Sequence, residues 1–444
     1  MAEAAGVFYA AETLVEGAVA AIKGIYDPTL PLKVNITPVK DISLPRHSHT
    51  VSIVKGRAYI FGGVTTDTNG SEAIADNNIH VVILPVSNIE GSDYKVIPAY
   101  ENAPAPRFGH SAAVIEDQIY IYGGSSDLST ASPLDESGAV WVFDTRSSQW
   151  TKLAAAKDVA PPPARLGHAA VATPHPRKPF RRTDEGLMPQ VDADPARPDL
   201  LPEPEKATEF GTLIVQGGRL GSGEAVEASN DLWAFDIAAR AWSPLPSPSQ
   251  LTRSTPSASL AIVKSRLYTL VAGHVQSMDL VAQTYDDKGG SGSLGITALS
   301  PWAPLERSSS SSGPGERTGA ALEVVTTGQG RNYLLLVGGE SSAEHRGDIW
   351  TLQLQPEGST AASIKDAARM AIGKGTGEKE WAEVRYFDGE GVMIQEGQAG
   401  RGIGARKGFA WSKDAEEDGG TVFVQGGLEG GKISGDGILI TVSI

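Results

Sequence analysis

An apolar run that ends in two glycines recurs along this 444-residue chain: YIFGG closing at Gly63, YIYGG at Gly124, LIVQGG at Gly218, LLLVGG at Gly339 and VFVQGG at Gly427. A recurrence of this kind constrains the fold more than any single motif, because it calls for one supersecondary unit copied and packed against its own neighbours. Upstream of the glycine pairs stands an arginine that opens another strand: Arg46-His47-Ser48-His49, Arg107-Phe108-Gly109-His110, Arg165-Leu166-Gly167-His168, Arg317-Thr318-Gly319 and Arg406-Lys407-Gly408. Downstream come WVFD at 141–144, WAFD at 233–236 and IWTL at 349–352, then a tryptophan strand from Trp150, Trp242 or Trp381. Each unit reads as four short strands. The glycines fit a second strand that must turn abruptly in crowded surroundings, where positive φ is useful.

Together these features resemble the kelch repeat of galactose-oxidase-like and kelch propellers, from about residue 34 to the end of the chain. The resemblance implies an all-β fold, a kelch-type β-propeller, and the spacing sets the number of blades. The interval from Gly218 to Gly339 is about twice that from Gly63 to Gly124, so a blade with weakened motifs is expected at about 255–305. Ser257–Gly273 supplies its first two strands, and Trp302 lies near its fourth. Six blades result. After Gly427 the chain makes only one more strand, 437–444, so the N-terminal stretch Val34–Val39 is expected to supply the outer strand of the last blade and to tie the ring shut.

Two domains of unequal size follow: a lead-in over residues 1–33 and the six-bladed propeller over 34–444. In the lead-in, Phe8, Ala11, Leu14, Val15, Ala18, Ile22 and Ile25 recur at three- and four-residue steps, the pattern of a short amphipathic helix that packs on the propeller or binds a partner. The polar, proline-rich insert Thr173–Glu209 lies between the first two strands of blade three and reads as a mobile loop. Ser308–Ser312 reads as a flexible link, and Ala361–Ile372 as a small helix between the outer strands of blade five.

A formal net charge of −15 argues against nucleic acid and anionic lipid as partners. The absence of cysteine excludes disulfides, thiolate metal sites, cysteine nucleophiles and the cysteine–tyrosine cofactor of the copper oxidases that share this propeller. It also fits a cytoplasmic location. No apolar stretch is long enough to span a bilayer, and Glu12, Glu16 and Lys23 interrupt the first apolar run where a signal peptide would be uninterrupted.

No compact catalytic motif emerges, and no cofactor or metal is expected. His47 and His49 alternate as two ligands on a strand would, yet His49 occupies the repeat position of His110 and His168. The candidate interaction or central-mouth residues are Arg46, His47, Arg107, Arg165, Arg317 and Arg406. The arginines either present a cationic set to an acidic partner or bond carbonyls inside turns between blades. Two functions stand open: a non-catalytic platform for a protein partner, and an enzyme or metabolite-binding protein, isomerase- or epimerase-like, with its site at the central mouth.

Overall fold

The computed structural model of the chain describes residues 29–40, 42–84, 93–157, 159–176, 209–221, 227–248, 259–271, 273–285, 293–305, 313–327, 330–341, 344–356, 360–398, 400–413 and 420–443. The helix expected over Phe8–Ile25, residues 177–208 of the insert and the serine run Ser308–Ser312 lie outside the described residues. Within them the chain is all-β with one helix, Ala361–Ala371, and no helix is long and apolar enough to cross a membrane.

Six sheets of four or five strands follow one another along the chain, and none closes on itself. Sheet one holds Thr50–Val54, Arg57–Phe61, Ile79–Ile83 and Asp93–Ile97, and sheet two Ser111–Ile115, Gln118–Tyr122, Val140–Asp144 and Gln149–Leu153. Sheet three holds Ala169–Thr173, Thr212–Leu220, Glu227–Asp236 and Ala241–Leu245, so the insert leaves between its first two strands. Sheet four, where the repeat is weakest, still pairs Ser259–Val263, Arg266–Val271, His274–Tyr285 and Ser293–Ala298. Sheet five holds Ala321–Thr327, Arg331–Glu340, His345–Gln353 and Trp381–Glu383, with the helix between its last two strands. Sheet six holds Ala410–Lys413, Gly420–Gln425, Gly437–Ser443 and the N-terminal strand Lys33–Val39.

Alternation of side chains along each strand gives every sheet two apolar faces, and each face meets a different neighbour. Six separate apolar cores result, one between each consecutive pair of sheets, the last joining sheet six to sheet one through Phe423, Leu439, Val51 and Ile60. Trp150 fills the seam of sheets one and two, 5.3 Å from Phe61, and Trp242 fills the next, 4.9 Å from Tyr122. The first strands of the sheets also touch in sequence, one to two through six and six back to one. Those first strands are therefore the innermost, and they frame the space in which the candidate site lies.

The N-terminal strand pairs antiparallel with Gly437–Ser443 in unbroken register, from Lys33 opposite Ser443 to Val39 opposite Gly437. It is not outermost, as the sequence suggested. Arg385–Phe387 pairs parallel with Lys33–Asn35 on its far side, so the strand is hydrogen-bonded along both edges.

Candidate functional site

Each of the five repeat arginines is buried and places Nη1 on the carbonyl of the first glycine of its own sheet's pair: Arg46 on Gly62, Arg107 on Gly123, Arg165 on Gly217, Arg317 on Gly338 and Arg406 on Gly426, at 2.9 to 3.2 Å. A carboxylate partners each guanidinium. Glu136, Asp231, Asp348 and Asp436 approach within 2.7 to 2.8 Å, and Asp76 within 3.9 Å of Arg46. Burial raises the carboxyls of Glu136, Asp231, Asp348 and Asp436, but the guanidinium beside each, together with the carboxyl's other hydrogen bonds, holds all four below the usual carboxylate range. These charges are satisfied within the sheets, and none of the five arginines is among the residues that line the central cavity.

The glycine pairs are required by this packing. Gly62 has φ +64°, and a Cβ built there would stand 2.4 Å from the carbonyl oxygen of Arg107 on the next sheet. Its neighbour Gly63 donates its N–H to that same carbonyl at 2.8 Å, as Gly427 does to Arg46. The motif thus joins one sheet to the next through backbone atoms alone.

His47 and His49 do not lie on a regular strand. Ser48 between them has φ +53°, the conformation that Gly109, Gly167, Gly319 and Gly408 adopt at the same repeat position, and the strand begins only at Thr50. His47 borders the central cavity, with Nε2 3.6 Å from Glu72. His49, His110 and His168 are buried between sheets, and burial aided by the neighbouring arginine pushes His49 and His168 down to about 3 and His110 well below its ordinary value. All three rings are neutral at pH 7. Among the described residues no cluster of three His, Asp or Glu side chains is placed to hold a metal.

The innermost strands of all six sheets line one central cavity of about 790 Å³. One end is bordered by His47, Thr318, Glu340 and Lys407, with Lys407 Nζ 3.8 Å from Glu340. Along the innermost strands themselves the lining is small, apolar or uncharged except at Glu323 and Lys413, on sheets five and six. At the repeat position of Glu323 the other sheets carry Ser52, Ala113, Val171, Ala261 and Ser412. At that of Lys413 they carry Ile53, Val114, Ala172, Ile262 and Val324, and at that of Trp411 they carry Val51, Ala112, Ala170, Leu260 and Leu322.

Lys413 crosses the seam and donates to the carbonyl of Val324 at 2.6 Å. Burial pushes the Glu323 carboxyl up to about 7, against the opposing pull of Lys413 and of a hydrogen bond from Trp411. A carboxyl so placed exchanges its proton near neutral pH, as a binding or acid–base group requires. None of these three residues stands out in a reading of single motifs. Comparing equivalent repeat positions sheet by sheet reveals all three, because each departs from a small or apolar consensus.

A family model described as the KLHDC2/KLHL20/DRC7 Kelch-repeats domain matches residues 32–176. The chain is 27% identical over 128 residues to the Rho GTPase-activating protein gacHH of Dictyostelium discoideum, a match covering 28% of this chain and 8% of that protein. It is 29% identical over 133 residues to the Rab9 effector protein with kelch motifs of Xenopus laevis, covering 29% of this chain and 32% of that one. These matches span less than a third of either relative's length. Among solved structures, YjhT aligns over 91% of this chain and 99% of its own at 13% identity and a TM-score of 0.49.

Proposed function

Because this chain is a kelch-repeat protein, we propose that its six sheets are the blades of a ring closed by the strand Lys33–Val39, spanning residues 34–444, and that this ring is a non-catalytic platform for a protein partner. The cyclic contact of the innermost strands and the six seams support the ring. The observation that carries the platform is that the matched segment recurs within proteins named for unlike roles, a GTPase-activating protein and an effector, where it makes up 8% and 32% of the chain. A part retained beside such different activities is suited to recognition rather than to one reaction.

Of the residues singled out in the sequence, His47 keeps a place in this reading as a contact at the mouth, whereas the five arginines serve the turns. The lack of cysteine supports a cytoplasmic setting. The test is affinity capture from the source cell with wild-type protein and with Lys407→Glu and Glu340→Lys variants that reverse charge at the mouth. A partner retained by wild type and lost on charge reversal supports the platform. Equal recovery with all three, or none with wild type, counts against it.

The second reading, a metabolite-binding or enzymatic ring, rests on Glu323. A carboxyl poised near neutrality inside the cavity is more than a docking surface needs.

A further inference from the structure

The helix Ala361–Ala371 turns its charge inward. Asp366 and Arg369 are buried along with Ala362, and the carboxylate of Asp366 accepts from both terminal nitrogens of Arg331, at the start of the second strand of sheet five, at 2.6 and 2.7 Å. The helix is thus anchored to its sheet through a buried ion pair. Its outward face carries no charge: Ala361, Ile364, Ala367, Met370 and Ala371 are exposed, and Ile372 follows them. Ile364 is 68% exposed and Met370 64%, the reverse of a surface helix that gives its apolar side to the core and its polar side to water. Apolar surface of this kind calls for a cover.

The place where the described residues begin says what is within reach of it. Oγ1 of Thr29 donates to the carbonyl of Thr376 at 2.9 Å, and the carbonyl of Thr29 accepts from the Tyr333 hydroxyl at 3.3 Å. Thr376 follows Gly375, whose carbonyl accepts from Nε of Arg369 at 2.9 Å, and Lys374 returns its N–H to the Arg369 carbonyl at 2.9 Å. Thr29 is therefore tied to the loop that folds against the last turn of the helix. Ile25, the end of the apolar stripe Phe8, Ala11, Leu14, Val15, Ala18, Ile22 and Ile25, precedes Thr29 by a linker that spans at most about 14 Å. The helix itself is about 16 Å long, so the stripe cannot begin far from the exposed face. In helical spacing Glu12, Glu16 and Lys23 share the side opposite the stripe, which leaves the segment one apolar side to bury and one polar side for water.

We propose that residues 8–25 dock as a second helix along the exposed face of Ala361–Ala371 and cover Ile364 and Met370. The two C-terminal ends meet at Thr29 and Thr376, so the helices run in the same direction and Ala18 and Ile22 come beside Ile364 and Ala367. The tether favours this occupant over a second copy or a separate partner, because a short linker holds the stripe at an effective concentration on the order of millimolar. The docking goes beyond the platform reading and stands independently of what the central cavity binds.

Hydrogen exchange of the full chain, followed by mass spectrometry at several protein concentrations, tests it. An isolated helix of this length is marginal in water, so slowed exchange over residues 8–25 reports docking. The expected result is exchange at least about tenfold slower than in an unstructured chain, independent of concentration, and a return to the unstructured rate in Ile364→Asp with Met370→Asp while the strands of sheet five stay protected. Fast exchange over residues 8–25 in the wild type overturns the proposal and leaves the face to a separate partner. Slowing that grows with protein concentration overturns it in favour of a second copy, and slowing that survives the double substitution shows that the segment docks elsewhere. A second measurement avoids charge on the helix altogether. The chain has no cysteine, so Ala367→Cys can be paired with Ala18→Cys or with Ile22→Cys, and oxidation should join at least one of these pairs within a monomer. No link from either, or an equally ready link from Ala367→Cys to Glu16→Cys on the polar side, overturns the docking.

Discussion

The imidazole of His110 on sheet two places Nε2 2.9 Å from Oγ1 of Thr50 on sheet one. One sheet further along, His168 places Nε2 2.7 Å from Oγ of Ser111 on sheet two. Each histidine thus finds a hydroxyl on the residue that opens the preceding sheet's first strand, and packs edge-on against the aromatic side chain before that sheet's glycine pair, Phe61 or Tyr122. His49 breaks the series. The backbone contact of Ser48 with Gly408 repeats that of Gly109 with Ser48, so the hydroxyl position opposite His49 belongs to Ala410, and neither ring nitrogen of His49 meets a hydroxyl.

Ala410→Ser should supply that missing partner and raise stability by about 0.5–1.5 kcal/mol, the usual net value of one such bond. Thr50→Ala should do the reverse to His110 and cost about 1–3 kcal/mol by leaving a buried ring nitrogen unpaired. Urea unfolding midpoints of the two variants against wild type check both signs. If Ala410→Ser is destabilising, the seam has no room for the hydroxyl and the repeat argument fails at that position.

The buried histidines also set a pH dependence. Folding lowers their pKa values, to about 3 for His49 and His168, while the unfolded chain takes up their protons near 6.5. The unfolded state therefore binds more protons in that interval. Stability is fully present above about pH 6.5 and is lost as pH falls toward 3, at roughly 1.4 kcal/mol per pH unit for each group. His49→Phe places at this position the residue that sheet six carries as Phe409, and should remove one proton from the slope of stability against pH between 6 and 4. Unfolding midpoints at half-unit intervals measure that slope, and an unchanged slope would mean that His49 takes up no proton on unfolding in this range.

The repeat was legible because glycine and arginine serve the backbone. Gly62 cannot carry a side chain against the Arg107 carbonyl, and Arg107 is fixed to Gly123 and Glu136, so both leave a mark wherever the turn recurs. Sheet four lacks that arginine and pairs its strands regardless, which is why only the spacing located it. Glu323 was invisible for a different reason. In the strand Ala321–Thr327 it occupies an alternating position that reads as solvent-facing in any isolated strand, and only the packing of six sheets around a common space turns that face inward. The parallel partner Arg385–Phe387 left no signal either, since three residues are too short a strand for periodicity to register.

The arginine–carboxylate pairs differ in enclosure, and their variants should differ accordingly. Arg165 has no exposed surface and meets both oxygens of Asp231 at 2.7 and 2.8 Å, so Asp231→Ala leaves a buried charge with carbonyls alone and should cost about 3–5 kcal/mol. Arg46 sees Asp76 only at 3.9 Å and also contacts His80 Nε2 at 2.7 Å, while the Asp76 side chain is 47% exposed. Asp76→Ala should cost less than about 1 kcal/mol. Comparable losses for the two would show that these pairs do not act through desolvated charge.

The N-terminal strand contributes to two seams at once. Val34 and Ile36 point into the core shared by sheets five and six, whereas Val39, of opposite parity, points into the core shared by sheets six and one. Both of its edges are hydrogen-bonded, to Gly437–Ser443 and to Arg385–Phe387. Removing residues 1–40 therefore strips apolar contacts from both seams and leaves two bare strand edges, a combination that favours association over folding. The truncated chain should lose its cooperative thermal transition and elute as aggregate. Ile36→Ala alone should cost about 2–5 kcal/mol, since Ile36 is buried and faces Ile440 in register. A synthetic peptide of residues 31–41, added during refolding of the truncated chain, should restore a monomer peak if the strand acts through these pairings. A truncated chain that melts as sharply as the intact one would mean that the remaining sheets hold together without a strand from the N-terminus.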